Sequence, residues 1–280
     1  MKVLCALVLA ASTIGAGVVV AQPAPFSVVT ETAALGGEDV KVDVYRPQDS
    51  DLVGVAVLAH GFTRDRLRDR DLAQALAGAG IVAVAPDLPS AVNSLGNGDA
   101  VAGLVADLER GALGLPPTSR ARIVLIGTSA GGLATVIAAA NLPGLAGWIG
   151  LDPVDGTGLG TLAARKLRVP SLVLLADPSV CNLFGSGRLI ANAVPSATRA
   201  ERIRGASHCD FEGPTNKFCR TVCGKGAPGM ADAVRREAVS AALAMLDPGQ
   251  QEIPAPSQPS VPLSNAPLPP RPPVAPAEHR

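Results

Sequence analysis

The chain has 280 residues, with 24 basic and 24 acidic side chains and a formal net charge of zero, so it lacks the positive excess that a nucleic-acid backbone requires. Aromatic residues make up only 2% of it, too few for platforms on which single-stranded bases stack. Hydrophobic residues, at 48%, leave ample material for one substantial core.

The chain begins with a single early charge, Lys2, and an apolar run from Val3 to Val20. Compact residues at Val19 and Ala21 fit a signal-peptidase site before Gln22, so residues 1–21 are expected to be a secretory signal, with no membrane span in the mature chain. Residues 22–246 suit one α/β domain. Short β-branched runs at Val40 to Tyr45, Val53 to Leu58, Ile81 to Ala85, Arg122 to Ile126, Trp148 to Leu151, Leu172 to Leu175 and Thr198 to Ile203 read as strands. Helical stretches at Asp71 to Ala79, Asp99 to Ala112, Gly131 to Ala140, Ile190 to Val194 and Ala231 to Leu246 alternate with them. That alternation predicts a mostly parallel central sheet with helices on both faces and a ligand site at the carboxyl ends of the strands. Residues 247–280 are rich in proline and lack apolar periodicity. They are expected to be a disordered tail, serving as a spacer or as a tether to the cell envelope, and composition favours the spacer.

Gly127-Thr128-Ser129-Ala130-Gly131 joins the strand ending at Ile126 to a helix, the arrangement of a nucleophile elbow. A glycine-rich chain can supply this pattern by chance, so its neighbours decide its weight. Of the three histidines, His279 lies in the tail and His60 precedes the serine. His208 follows the last strand, in the chain order nucleophile, acid, histidine. His208 is therefore the candidate base, while His60 reads as a structural hydrogen-bonding residue. The amides of Phe62 and Ala130 are candidate oxyanion-hole donors. Two aspartates, Asp152 and Asp177, end strands and suit the acid, with Asp155 a weaker third.

Four cysteines remain after the signal, at 181, 209, 219 and 223, and in an exported protein they suggest two disulfides. Three pairings are open. A 181 to 209 bridge would clamp the active-site rim directly. A zinc site from His208, Cys209, Cys219 and Cys223 is the weaker competitor. Arg64, Arg66, Arg68 and Arg70 alternate with Asp65, Asp69 and Asp71, which reads as a self-paired helix start in preference to a collar for anionic substrates.

Taken together, His60-Gly61-Phe62, Val82-Ala83-Val84-Ala85-Pro86, Gly127 to Gly131, the segment from Ile149 through Asp152 to Gly156, and Gly205-Ala206-Ser207-His208 make the chain resemble the α/β-hydrolase superfamily. Within it the chain looks like the branch that holds chlorophyllases, bacterial polyester cutinases and platelet-activating-factor acetylhydrolases. The resemblance to chlorophyllases and acetylhydrolases favours Asp152 as the acid, since cutinases use the next strand, where Ser179 and not Asp177 would align. It also implies an acyl-enzyme mechanism on carboxylic esters, with no metal or organic cofactor. Asp210 shares the H-x-D spacing of chlorophyllases and is expected to brace its loop. The aromatic clamp of polyester cutinases is replaced by Ala130 and Val154, which points to a smaller or simpler ester. An acyltransferase or peptidase on the same fold, or a non-catalytic envelope binding protein, are the rival readings.

Overall fold

The computed structural model describes residues 24–48, 52–195 and 198–247. The expected signal segment and all but the first residue of the proline-rich tail lie outside them. Among the described residues, no helix is long and apolar enough to cross a membrane.

Among the described residues eight strands form one sheet: β1 (Phe26–Leu35), β2 (Glu38–Pro47), β3 (Gly54–Ala59), β4 (Ile81–Pro86), β5 (Ile123–Thr128), β6 (Gly147–Leu151), β7 (Ser171–Leu175) and β8 (Thr198–Arg202), in the order β1-β2-β4-β3-β5-β6-β7-β8. The pairs β1–β2 and β2–β4 are antiparallel and the rest parallel. Among the described residues seven α-helices cover it: α1 (Arg70–Gly78), α2 (Ser94–Arg110), α3 (Ala130–Ala140), α4 (Leu159–Ala164), α5 (Gly187–Ala193), α6 (Lys217–Cys223) and α7 (Met230–Leu246).

Side chains alternate across each strand, so the continuous apolar runs split their burial between two layers. Val57, Leu125, Trp148 and Val173 pack on one face with Leu104 of α2 and Val136 of α3. Leu58, Ile126, Ile149 and Leu174 pack on the other with Leu76 of α1 and Ala238 of α7. This two-sided burial explains why β3 to β7 read clearly as strands. Strand β1 does not: its sequence FSVVTETAAL is largely exposed and mixes polar with apolar positions. It forms a hairpin with β2 through Gly36 and Gly37, whose φ values of 61° and 87° favour glycine. Helix α2 starts at Ser94, five residues ahead of the expected Asp99, because the Asn93 side chain caps it by accepting from Gly96 N–H. The short helices α4 and α6 lack enough turns for a periodic signal.

Candidate active site

Strand β5 runs into Ser129, whose φ of 57° and ψ of −119° form a sharp bend before α3. A side chain rarely adopts this conformation, which costs on the order of 1–3 kcal/mol and persists only where its surroundings enforce it. Four backbone bonds do so: Ser129 N–H donates to Leu151 O at 3.0 Å, while Ser129 O accepts from Val154 N–H at 3.1 Å, Gly132 N–H at 3.0 Å and Leu133 N–H at 3.3 Å. The flanking glycines permit the crowding that results. A Cβ at Gly127 would lie 2.3 Å from Gly131 O, and one at Gly131 would lie 2.0 Å from Ala59 O.

Ser129, His208 and Asp152 are linked in that order. His208 Nε2 lies 3.0 Å from Ser129 Oγ, and His208 Nδ1 lies 2.6 Å from Asp152 Oδ2. His208 opens a short 3₁₀ turn, His208–Phe211, beyond β8. Asp210 braces that turn, its Oδ2 accepting from Ser207 N–H at 2.7 Å and Ser207 Oγ–H at 2.9 Å. A second tie runs from Thr128 Oγ1, at the end of β5, to Phe211 O at 3.3 Å.

Asp152 is fully buried, and its carboxylate accepts from Ala176 N–H at 3.0 Å and from Asn182 Nδ2 at 3.0 Å as well as facing His208. The two other acids are occupied elsewhere. Asp177 is exposed and accepts from Gly205 N–H at 2.9 Å, bracing the chain ahead of His208. Asp155 accepts from Gly158 N–H at 2.7 Å and Thr161 N–H at 2.9 Å, organising the first turn of α4. Asn182 has no distinguishing mark in the sequence beyond its spacing from Ser179, whose N–H donates to Asn182 Oδ1 at 2.8 Å.

The segment after β3 passes directly over the elbow. A Cβ at Gly61 would come within 3.2 Å of Ser129 Cβ and 3.6 Å of its Oγ, so glycine is what lets this backbone approach. Among the described residues, the N–H groups of Phe62 and Ala130 donate to no protein acceptor. His60 anchors the segment from below. Leu88 N–H donates to its Nε2 at 2.9 Å and its Nδ1 lies 2.9 Å from Gly61 O, which together require the neutral ring with hydrogen on Nδ1. Burial keeps the imidazole pKa below its usual range, against the opposing pull of the Gly61 carbonyl.

Of the arginines beside this segment, Arg64, Arg66 and Arg70 are ion-paired, mostly over long distances and not with their neighbours, while Arg68 donates to Pro214 O at 2.8 Å. Arg64 meets Glu212 at 2.9 Å, Arg66 meets Asp43 and Asp87 at 3.0 Å each, and only Arg70 pairs locally, with Asp71 at 3.5 Å. The expected self-paired helix start is thus corrected: the cluster ties the loop after β3 to β2, to the end of β4 and to the His208 loop. Asp69 is buried, and its Oδ2 has no hydrogen-bond partner among the described residues. Burial, reinforced by Glu212 and Asp65, pushes its carboxyl pKa well above the usual range.

The cysteines pair as Cys181–Cys223 and Cys209–Cys219, so the direct 181 to 209 clamp does not form. Cys219 and Cys223 are four residues apart on α6 and share one helix face, which lets a single helix receive both loops. The rim is clamped through α6 instead. The zinc set is likewise not assembled, because its sulfurs are in disulfides and His208 faces Ser129 and Asp152.

A six-strand parallel run, β4-β3-β5-β6-β7-β8, with the antiparallel β2 and β1 on one side and an elbow after β5, is a recognisable architecture. Among solved structures the chain is similar to a dienelactone hydrolase from Anabaena variabilis, with a TM-score of 0.62 and 18% sequence identity over 76% of this chain and 95% of that one. The chain has the α/β-hydrolase fold. No protein-family model and no curated protein sequence matches it. In the α/β-hydrolase frame, Ser129, Asp152 and His208 follow β5, β6 and β8, all at the carboxyl edge of the sheet.

Proposed function

We propose that this protein is a secreted serine hydrolase that cleaves carboxylic esters through an acyl-enzyme. The observation that carries this reading is the elbow itself. A buried serine in a strained turn has its Oγ 3.0 Å from an imidazole nitrogen, and the other nitrogen of that ring lies against a buried carboxylate.

In the proposed reaction Ser129 Oγ attacks the ester carbonyl while His208 Nε2 takes its proton. Asp152 fixes the ring with hydrogen on Nδ1 and compensates the imidazolium charge. The carbonyl oxygen becomes an oxyanion held by the amides of Phe62 and Ala130, which have no partner to give up among the described residues. Collapse breaks the bond to the alcohol oxygen, which leaves with the proton from His208. Water then attacks the acyl-serine by the same route, releasing the acid and restoring Ser129.

The two disulfides are compatible with an oxidising compartment and support export. The similar dienelactone hydrolase is a hydrolase by name, which supports the reaction class. The small residues beside the serine, Ala130 and Val154, favour a compact ester over a polyester, and the chlorophyllase-like branch belongs to the same proposal. Labelling with a fluorophosphonate tests it: the wild type should label and Ser129→Ala should not. Equal labelling of both would remove Ser129 as the nucleophile. A graded panel of p-nitrophenyl esters, assayed beside peptide and alcohol acceptors, would then fix the acyl length and set ester hydrolysis against peptidase or acyltransferase activity.

A further inference from the structure

We propose that Asn182 is a positioning residue for the proposed triad, acting on the reaction through Asp152. The inference rests on the serine hydrolase reading and adds a fourth member to the chain of hydrogen bonds.

Asn182 is fully buried, and each polar valence of its amide is used. Nδ2 donates to Asp152 Oδ2 at 3.0 Å and to Asp177 O at 3.0 Å. Oδ1 accepts from Ser179 N–H at 2.8 Å and Gly185 N–H at 3.0 Å. An amide satisfied on all sides cannot rotate or flip without leaving buried groups unpaired. It is therefore a fixed donor, and it points at the same carboxylate oxygen that His208 Nδ1 faces at 2.6 Å.

That shared oxygen gives Asn182 its consequence. Asp152 is buried at 0% exposure and needs hydrogen bonds in place of water. Ala176 N–H fixes Oδ1, but a carboxyl held at one oxygen can still swing Oδ2. The Asn182 amide removes that freedom, setting the angle from which Oδ2 meets the imidazole. Imidazole orientation in turn sets the direction of Nε2 toward Ser129 Oγ. The residue next in the chain, Cys181, is bonded to Cys223 of α6, and α6 is bonded through Cys219 to Cys209 beside His208. The asparagine and the histidine that flank Asp152 Oδ2 are thus both referred to one helix.

The test uses p-nitrophenyl butyrate turnover and fluorophosphonate labelling of the oxidised mature protein. Asn182→Ala should lower kcat by about 10- to 100-fold, the worth of one hydrogen bond to a charged group, while KM changes by less than about 2-fold. Asn182→Asp keeps the shape and decides the matter if the alanine variant does not fold. Its carboxyl can donate to Asp152 only while protonated, so its kcat should approach wild type at acidic pH and fall as pH rises. The resulting descending alkaline limb is one that a purely structural role would not create. Unchanged kcat and an unchanged pH profile in a folded variant would overturn the positioning role alone. Failure of the wild type to label at Ser129 would instead overturn the serine reading and this inference with it.

Discussion

Arg64 Nε lies 2.9 Å from Glu212 Oε2, with side-chain exposures of 17% and 8%, so one ion pair joins the segment that covers the elbow to the turn that carries His208. Its burial makes it costly to break on one side, because the remaining charge would be left buried and unpaired. Glu212→Gln and Arg64→Leu should each lower the melting temperature and slow ester turnover. The double variant should lose less than the sum, with a coupling of about 1–3 kcal/mol in denaturant melts. Additive losses would mean that the two loops are held independently.

The placement of the three aspartates separates their expected effects on rate. Asp152→Asn keeps the side chain's size but puts an NH2 donor where one carboxylate oxygen accepts, either from Ala176 N–H or from Asn182 and His208 Nδ1, and should reduce kcat by about 10³- to 10⁴-fold. Asp177→Asn, which perturbs only the bond to Gly205 N–H, should cost less than about 10-fold. Comparing the two in single-turnover assays checks the assignment of the acid, and a larger loss at Asp177 would reverse it.

What could be read ahead of the structure follows from how locally each feature is determined. The strand Ile123–Thr128 is buried on both faces, so its hydrophobic run alone marks it, and the elbow inherits that clarity from Gly127 and Gly131. Strand β1 is one-sided and exposed, so nothing in its composition separates it from a loop. Asn182 takes its meaning from a carboxylate 30 positions away, and the disulfide pairing from a seven-residue helix whose existence no periodicity announces. The arginine and aspartate alternation misleads for the same reason: adjacency in sequence suggested pairs, whereas the partners Asp43, Asp87 and Glu212 come from other elements.

The neutral His60 links stability to pH in one direction. Its pKa is lowered by burial, so between that value and about 6.5 the unfolded chain binds more protons than the native one. Stability therefore rises with pH across this window and is lost as pH falls through the native pKa. His60→Gln, whose amide can still donate to Gly61 O and accept from Leu88 N–H, should remove this dependence. Urea melts of both proteins at pH 7.5 and pH 5 should show a smaller acid loss for the glutamine variant, and parallel losses would exclude His60 as the source.

Asp69 works in the opposite sense. Its pKa is raised, chiefly by burial and then by Glu212 and Asp65, so above about pH 3.9 the native state holds a proton that the unfolded chain has released. Stability is fully present below that point and is lost as pH rises toward and through the native pKa. Asp69→Asn has no proton to lose, so its melting temperature relative to wild type should climb as pH is raised from 4 to 8. Each kcal/mol corresponds to about 2–4 °C for a chain of this size. Because Glu212 is also the partner of Arg64, ionising Asp69 places a second negative charge beside the pair that joins the loop after β3 to the turn that carries His208. The wild type should consequently lose turnover at alkaline pH in excess of the asparagine variant, and a constant gap in both melting temperature and rate across that range would refute the link.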